Sequence, residues 1–285
     1  MAKTIIERGA KRAIEGPLTG IAAIDAFASI WHNRSLLATL VQRDINTRYR
    51  GSALGMAWLV LAPALMAIAY TYLFGFLFKA RFSGGGLGHT WVGIFLGTTL
   101  YQAFSEPVGR ATSLIQDQSS FVKKIVVPLR ILPVVPVIPA MMSWAVSLAI
   151  LCLAHLALFG PPPASTLAIP ALMVPLFMFV VGICWLVSAC SAFVRDLRQV
   201  VAFALTILLF LSPVFYPAEM IPSPLREIAL LNPVAFAIES SRQAFLSGIL
   251  PSWEWVLAYV GMSFGSFAVG YATYARLQDS FADVI

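Results

Sequence analysis

Residues 131–194 read ILPVVPVIPAMMSWAVSLAILCLAHLALFGPPPASTLAIPALMVPLFMFVVGICWLVSACSAFV, 64 consecutive positions without Lys, Arg, Asp or Glu. A helix that crosses a bilayer needs about 20 apolar residues, so this stretch is long enough for two. Gly160-Pro161-Pro162-Pro163-Ala164-Ser165 divides it, because such a run cannot continue a helix. The two halves are expected to cross a membrane and return.

The rest of the chain repeats the pattern. Residues 52–78, 82–105, 199–218 and 255–275 are also free of charge. Six spans are expected, near 53–79, 89–111, 132–159, 167–193, 199–216 and 254–275. The whole chain has 285 residues, 59% hydrophobic and 11% charged, against about 25% charged in soluble domains. That excludes an ordinary soluble enzyme, and it excludes disorder, which needs low hydrophobicity and high charge. The expected class is an all-α polytopic membrane protein.

The charges set its orientation. Fifteen of the 19 Lys and Arg residues fall at the N-terminus, between spans 2 and 3, between spans 4 and 5, and in the tail. Lys79, Arg81, Arg226 and Arg242 fall on the other side. The positive-inside rule then puts both termini in the cytoplasm. The net charge of +6 is a topology signal aimed at anionic lipid headgroups, and nucleic-acid binding is not expected. The first twenty residues show no apolar signal region. Cys152, Cys184 and Cys190 lie within spans and read as small buried hydrophobes, with no disulfide framework and no metal spacing.

Three segments depart from simple spans. Over 24–49, apolar Ile24, Phe27, Trp31, Leu37, Leu40, Val41, Ile45 and Tyr49 alternate with basic and polar residues, which predicts an amphipathic interfacial helix. It serves as a surface anchor, a docking element, or both. Residues 117–130 form the largest cytoplasmic connection, where Ser119 or Ser120 can cap a short basic helix that Pro128 ends. Residues 217–253 contain Ile228–Ile238, an apolar run too short to span and broken by Asn232-Pro233. A re-entrant helix pair is expected there, with Glu227, Glu239, Arg242 and Gln243 near the headgroups.

Several residues are candidates for chemistry. Glu106 is the one carboxylate well inside a span, and Arg110 at i+4 is its expected partner. Its role is proton transfer, pore lining or plain structure. Gly261-Met262-Ser263-Phe264-Gly265 matches G-x-S-x-G, but a hydrolase elbow needs a strand–turn–helix, so a G-x-x-x-G helix contact is expected instead. Gly93 and Gly97 form a second such face. Tyr70, Phe74 and Phe78 recur at i, i+4, i+8, and Phe210, Phe215 and Tyr216 cluster after span 5. These aromatics suit either an interfacial belt or a surface that stacks on sugar rings. No lysine sits in the phosphate-binding pattern G-x-x-x-x-G-K-[ST], so energy must come from an ion gradient or a separate subunit.

Three groups of motifs resemble the permease subunits of ABC-2 type exporters of cell-surface polysaccharides, which handle O-antigen, teichoic acid and capsule. The first is Leu40-Val41-Gln42-Arg43-Asp44-Ile45-Asn46-Thr47-Arg48-Tyr49-Arg50, followed by Gly51-Ser52-Ala53-Leu54-Gly55-Met56-Ala57-Trp58. The second is Val122-Lys123-Lys124 with Pro128-Leu129-Arg130-Ile131-Leu132-Pro133. The third is Val194-Arg195-Asp196-Leu197-Arg198, Ser212-Pro213-Val214-Phe215-Tyr216-Pro217, Leu231-Asn232-Pro233 and Ser241-Arg242-Gln243-Ala244-Phe245. Together they cover residues 40–248.

The resemblance implies a homodimer with a pore between subunits, in a bacterial inner membrane, and two ATP-binding ABC subunits beneath it. ATP and Mg would bind those partners, with no cofactor or metal on this chain and no enzymatic activity of its own. It implies a lipid-linked polysaccharide as cargo, with membrane lipids around the subunit. The domains would be a cytoplasmic segment over 1–50, a transmembrane domain over 51–275 and a tail over 276–285. Within the second lie a coupling helix near 119–130 and a re-entrant segment near 217–250. Arg43, Arg48, Phe121, Lys123, Lys124 and Arg130 would meet the ATPase. Trp58, Tyr70, Phe74, Phe78, Phe215 and Tyr216 would meet sugar. Asn232, Pro233, Glu239 and Arg242 would shape the outer mouth, and Glu106 and Arg110 remain an intramembrane charge pair.

A drug or small-lipid exporter of the same architecture is the near alternative. A gradient-driven transporter predicts inverted repeats and more intramembrane acids than Glu106. A membrane enzyme needs a convergent constellation, and His32, His89 and His155 fall in separate regions.

Overall fold

A computed structural model describes residues 22–49, 54–77, 79, 86–117 and 128–281. All regular structure among them is helical. Two helices open the chain, α1 (Ala22–His32) and α2 (Arg34–Tyr49). Then come α3 (Trp58–Tyr70), which runs into a π-helical stretch Thr71–Leu77, and α4 (Leu87–Ala111). A 3-10 segment Leu129–Val134 leads to α5 (Val137–Phe159), followed by α6 (Ile169–Phe193) and α7 (Leu197–Leu211). The hairpin helices α8 (Ser223–Leu230) and α9 (Pro233–Leu246) precede α10 (Trp253–Leu277).

The boundaries follow from backbone chemistry. Gly160 ends α5 at φ +90°, a conformation that costs glycine little, and three prolines follow. Proline opens α6 and α9 in the first turn, where a missing N–H costs nothing. Asn232 caps α9 by accepting from the Val234 amide at 3.0 Å.

Helices occupy each of the six expected segments. Leu129–Ala157, Ala164–Phe193 and Trp253–Ser280 are long and apolar enough to span unaided, and Leu61–Leu77 and Leu197–Leu211 are shorter apolar helices. α4 is different: it runs through the middle of the subunit, packed by α3, α5, α6, α7 and α9. Its Thr90, Gly93, Gly97, Thr98 and Thr99 are tolerated because they meet protein, and Thr98 and Thr99 return their hydroxyls to carbonyls of their own helix.

Two expectations are corrected here. The amphipathic helix over 24–49 is two helices broken at Asn33. α1 lays the small residues Ala23, Ala26 and Ser29 inward and turns Ile24, Phe27 and Trp31 outward, which lipid favours, whereas α2 buries Leu37 and Val41. The Gly261–Gly265 face meets nothing within 4 Å. The close approach is elsewhere, between α6 and α10. A Cβ on Gly182 would lie 2.5 Å from the Ser266 carbonyl carbon, and one on Gly270 would run into the Gly182 carbonyl oxygen.

Candidate functional site

At one end of the subunit, the chain stops being helical at Ser212-Pro213. The fifth expected span therefore ends at Leu211, and 212–216 is irregular backbone. Its carbonyls lose their helical partners and must find others. Arg242 supplies them. Its Nη2 donates to Pro213 O at 2.7 Å, and to Val214 O and Gly93 O at 3.3 Å each. Its Nη1 donates to Glu239 Oε2 at 2.8 Å and to Tyr216 O at 3.4 Å. Glu239 also accepts from Gln243. Glu239 and Arg242 are 4% and 3% exposed, so they are not headgroup-facing flanks. The α9 arm of the hairpin is packed into protein while α8 leaves Leu225, Glu227 and Ile228 exposed, and the pair is a buried clasp joining α9, α4 and the 213–216 turn.

Gly97 makes the clasp fit. A Cβ there would stand 2.5 Å from Val214 O and 3.1 Å from Arg242 Nη2. The Gly93/Gly97 face is thus a close contact with the 213–216 turn. Asn232 adds a stitch, its Nδ2 donating to Ser212 Oγ at 3.3 Å, and Pro233 follows as the first residue of α9.

The aromatic candidates gather beside this clasp. Phe74 stacks on Phe215 with centroids 4.6 Å apart and planes 6° apart, and Tyr70 meets the same ring at 4.6 Å. Phe215 is only 2% exposed, so in this conformation its ring is covered and offers no surface to sugar. Tyr216 donates from its hydroxyl to Phe210 O at 2.8 Å. Tyr72 and Phe76 are both 61% exposed and stacked at 5.8 Å, and Trp58 and Phe210 are exposed as well. Tyr72 and Phe76 have the same i, i+4 spacing as Tyr70 and Phe74, so periodicity alone does not say which of the two aromatic faces is covered.

At the opposite end, α2 is bolted to α4. Arg110 grips Asp44 with both terminal nitrogens, Nη1 to Oδ2 at 2.9 Å and Nη2 to Oδ1, and Arg48 pairs with Glu106. The expected Glu106–Arg110 pair is therefore replaced by two pairs across to α2, and the Glu106 side chain is 38% exposed. Arg43 lies on the rim of an adjoining cavity of about 220 Å³, with Asp44, Arg110, Ser113 and Asp117. Arg130 is not a surface residue. It is buried, donating from Nε to Gln278 at 3.2 Å and from Nη1 to the Tyr271 hydroxyl at 3.0 Å, while its carbonyl accepts from Trp185 Nε1 at 2.8 Å. Its charge is engaged inside the subunit, which corrects its reading as a partner contact. Phe78, Phe121, Lys123 and Lys124 lie outside the described residues.

A family model described as ABC-2 type transporter matches residues 35–246. The chain belongs to the ABC-2 type transporter family. The match opens in α2 and closes on the last residue of α9, so it spans both the bolted end and the clasp. Among relatives of this ABC-2 transporter, an O-antigen export system permease protein RfbA from Myxococcus xanthus is 27% identical over 90% of this chain and 97% of its own length. Two proteins of that description from Klebsiella pneumoniae are 25% and 23% identical, each over 88% of this chain and 95% of their own. The chain is thus a membrane-embedded transporter component.

Proposed function

We propose that this chain is the permease subunit of an ATP-driven exporter that moves a lipid-linked cell-surface polysaccharide, of O-antigen type, across the inner membrane. The observation that carries this is the similarity to O-antigen export permeases over 95% or more of their length. The working unit is a homodimer with two ABC ATPase subunits, which bind ATP and Mg. Both termini are cytoplasmic, in keeping with the basic residues of the bolted end. α3 and α7 turn Leu65, Ile68, Phe203 and Phe210 outward, apolar surface that lipid or a second copy covers. Tyr70, Phe74, Tyr216 and the exposed Tyr72–Phe76 pair would contact sugar, Phe215 only after the outer turn moves.

The test is deletion of the gene together with reconstitution alongside the cognate ATPase. The expected result is loss of surface glycan, lipid-linked glycan retained inside the cell, and restoration by the wild-type pair but not by the permease alone. Normal surface glycan in the deletion, with loss of export of a small drug or lipid, overturns the cargo. Transport that survives removal of the ATPase and stops with Glu106→Gln overturns the energy source.

A further inference from the structure

The two ion pairs between α2 and α4 form an ordered ladder. Asp44 and Arg48 stand one turn apart on α2, and Glu106 and Arg110 one turn apart on α4. Asp44 meets Arg110 and Arg48 meets Glu106, so the helices run antiparallel here. Charge order makes the register unique. A slip of one turn in one direction sets Asp44 against Glu106, and a slip the other way sets Arg48 against Arg110. Both place like charges opposite each other.

The ladder sits on the same helix as the clasp. Glu106 and Gly93 are thirteen residues apart on α4, about 20 Å of helix at 1.5 Å per residue. Gly93 O and the Gly97 face are where Arg242 and the 213–216 turn are held. A displacement of α2 along its axis therefore moves α4, and α4 moves the outer turn, as long as the ladder does not slip.

We propose that Asp44, Arg48, Glu106 and Arg110 are positioning residues for transport, which lock α2 to α4 in one register and pass motion of α2 to the outer turn. The inference rests on the reading that an ATPase acts at this end of the chain. Asp44 carried no assignment from its sequence, and Glu106 and Arg110 become half of a transmission contact.

The pairs are only partly buried, with side-chain exposures of 23% and 38% for Arg48 and Glu106 and 37% and 17% for Arg110 and Asp44. Pairs so exposed add little stability, so single reversals are expected to fold. The permease is co-expressed with its ATPase subunit, and three quantities are read: co-purification, ATP hydrolysis and surface glycan. Spin labels at Thr39 and Ile249 give a fourth, the change in their separation on trapping ATP, which does not depend on cargo.

Asp44→Arg and Arg110→Asp alone are expected to cut export and the label response about tenfold, a coupling of the usual size between distant sites. Co-purification and hydrolysis stay within about twofold of wild type, because exposed pairs hold little binding or folding energy. The double variant D44R/R110D restores export and the label response. Normal export in the singles, a double no better than the singles, or loss of co-purification in the singles each overturns the inference. If the wild-type pair moves no glycan, the cargo reading fails alone, and the label response still decides the ladder.

Discussion

Arg242 shows how one residue can hold an irregular segment inside a membrane protein. Its donors answer three carbonyls of the non-helical 213–216 turn and one from α4, while Glu239 balances its charge. Removing one partner of a buried pair strands the other, at about 3–5 kcal/mol. The partners differ in what remains. After Glu239→Gln, Arg242 keeps its four carbonyls; after Arg242→Gln, Glu239 keeps only Gln243. Thermal unfolding in detergent is therefore expected to show a much larger loss for Arg242→Gln, and equal losses would refute the clasp. The glycines give a sharper contrast. Gly97→Ala and Gly270→Ala push a methyl into the Val214 and Gly182 carbonyl oxygens, and overpacking of that kind costs about 1–3 kcal/mol or more. Gly261→Ala meets nothing within 4 Å and is expected to leave stability and expression unchanged by the same measurement.

The helices as elements were mostly legible, because span length and proline or glycine punctuation are local properties. α5, α6 and α10 begin and end within a few residues of expectation for that reason. What was not legible is what each element touches. The hairpin over 217–250 was found by its broken apolar run, yet its polar residues looked like headgroup flanks. The carbonyls of 213–216 and of Gly93, supplied from other elements, together with Glu239, make burial of Arg242 favourable. The Glu106–Arg110 pair was inferred from spacing on one helix, but α2 offers each a partner with opposite charge and better reach. Tyr70 and Phe74 do share a face, with centroids 6.5 Å apart, and Phe78 lies outside the described residues. Asn232 carries the element-scale prediction. It caps α9 and also donates to Ser212 at the broken end of α7. Asn232→Ala is expected to lose the cap, worth about 0.5–2 kcal/mol, and the stitch as well. Asn232→Asp keeps the cap and loses only the donor, so its unfolding temperature is expected between wild type and Asn232→Ala. If Asn232→Asp is as damaged as Asn232→Ala, the cap is not what holds α9.

For the molecule as a whole, the two ends are chemically distinct, and that distinction predicts an orientation. One end gathers α2, the last turn of α4, the Leu129–Val134 segment and the α6–α7 connection. They are tied by Asp44–Arg110, by Arg130–Gln278 and by Gln116 donating to Ser191 O at 3.5 Å. The other end gathers the prolines after α5, the 212–220 turn and the loop after α9, where Ser165 donates to Ala244 O at 2.6 Å and Gly248 approaches Pro163. Basic residues concentrate at the first end, so that end faces the cytoplasm if charge sets topology. Single cysteines test this in a background lacking Cys152, Cys184 and Cys190. Ser247→Cys is expected to react with a membrane-impermeant maleimide in cells whose outer membrane alone is opened. Ser35→Cys and Asp196→Cys are expected to react only after the inner membrane is broken. Labelling in the reverse order would invert the subunit, set the ladder on the far side from any cytoplasmic ATPase, and remove the physical basis for coupling through α2.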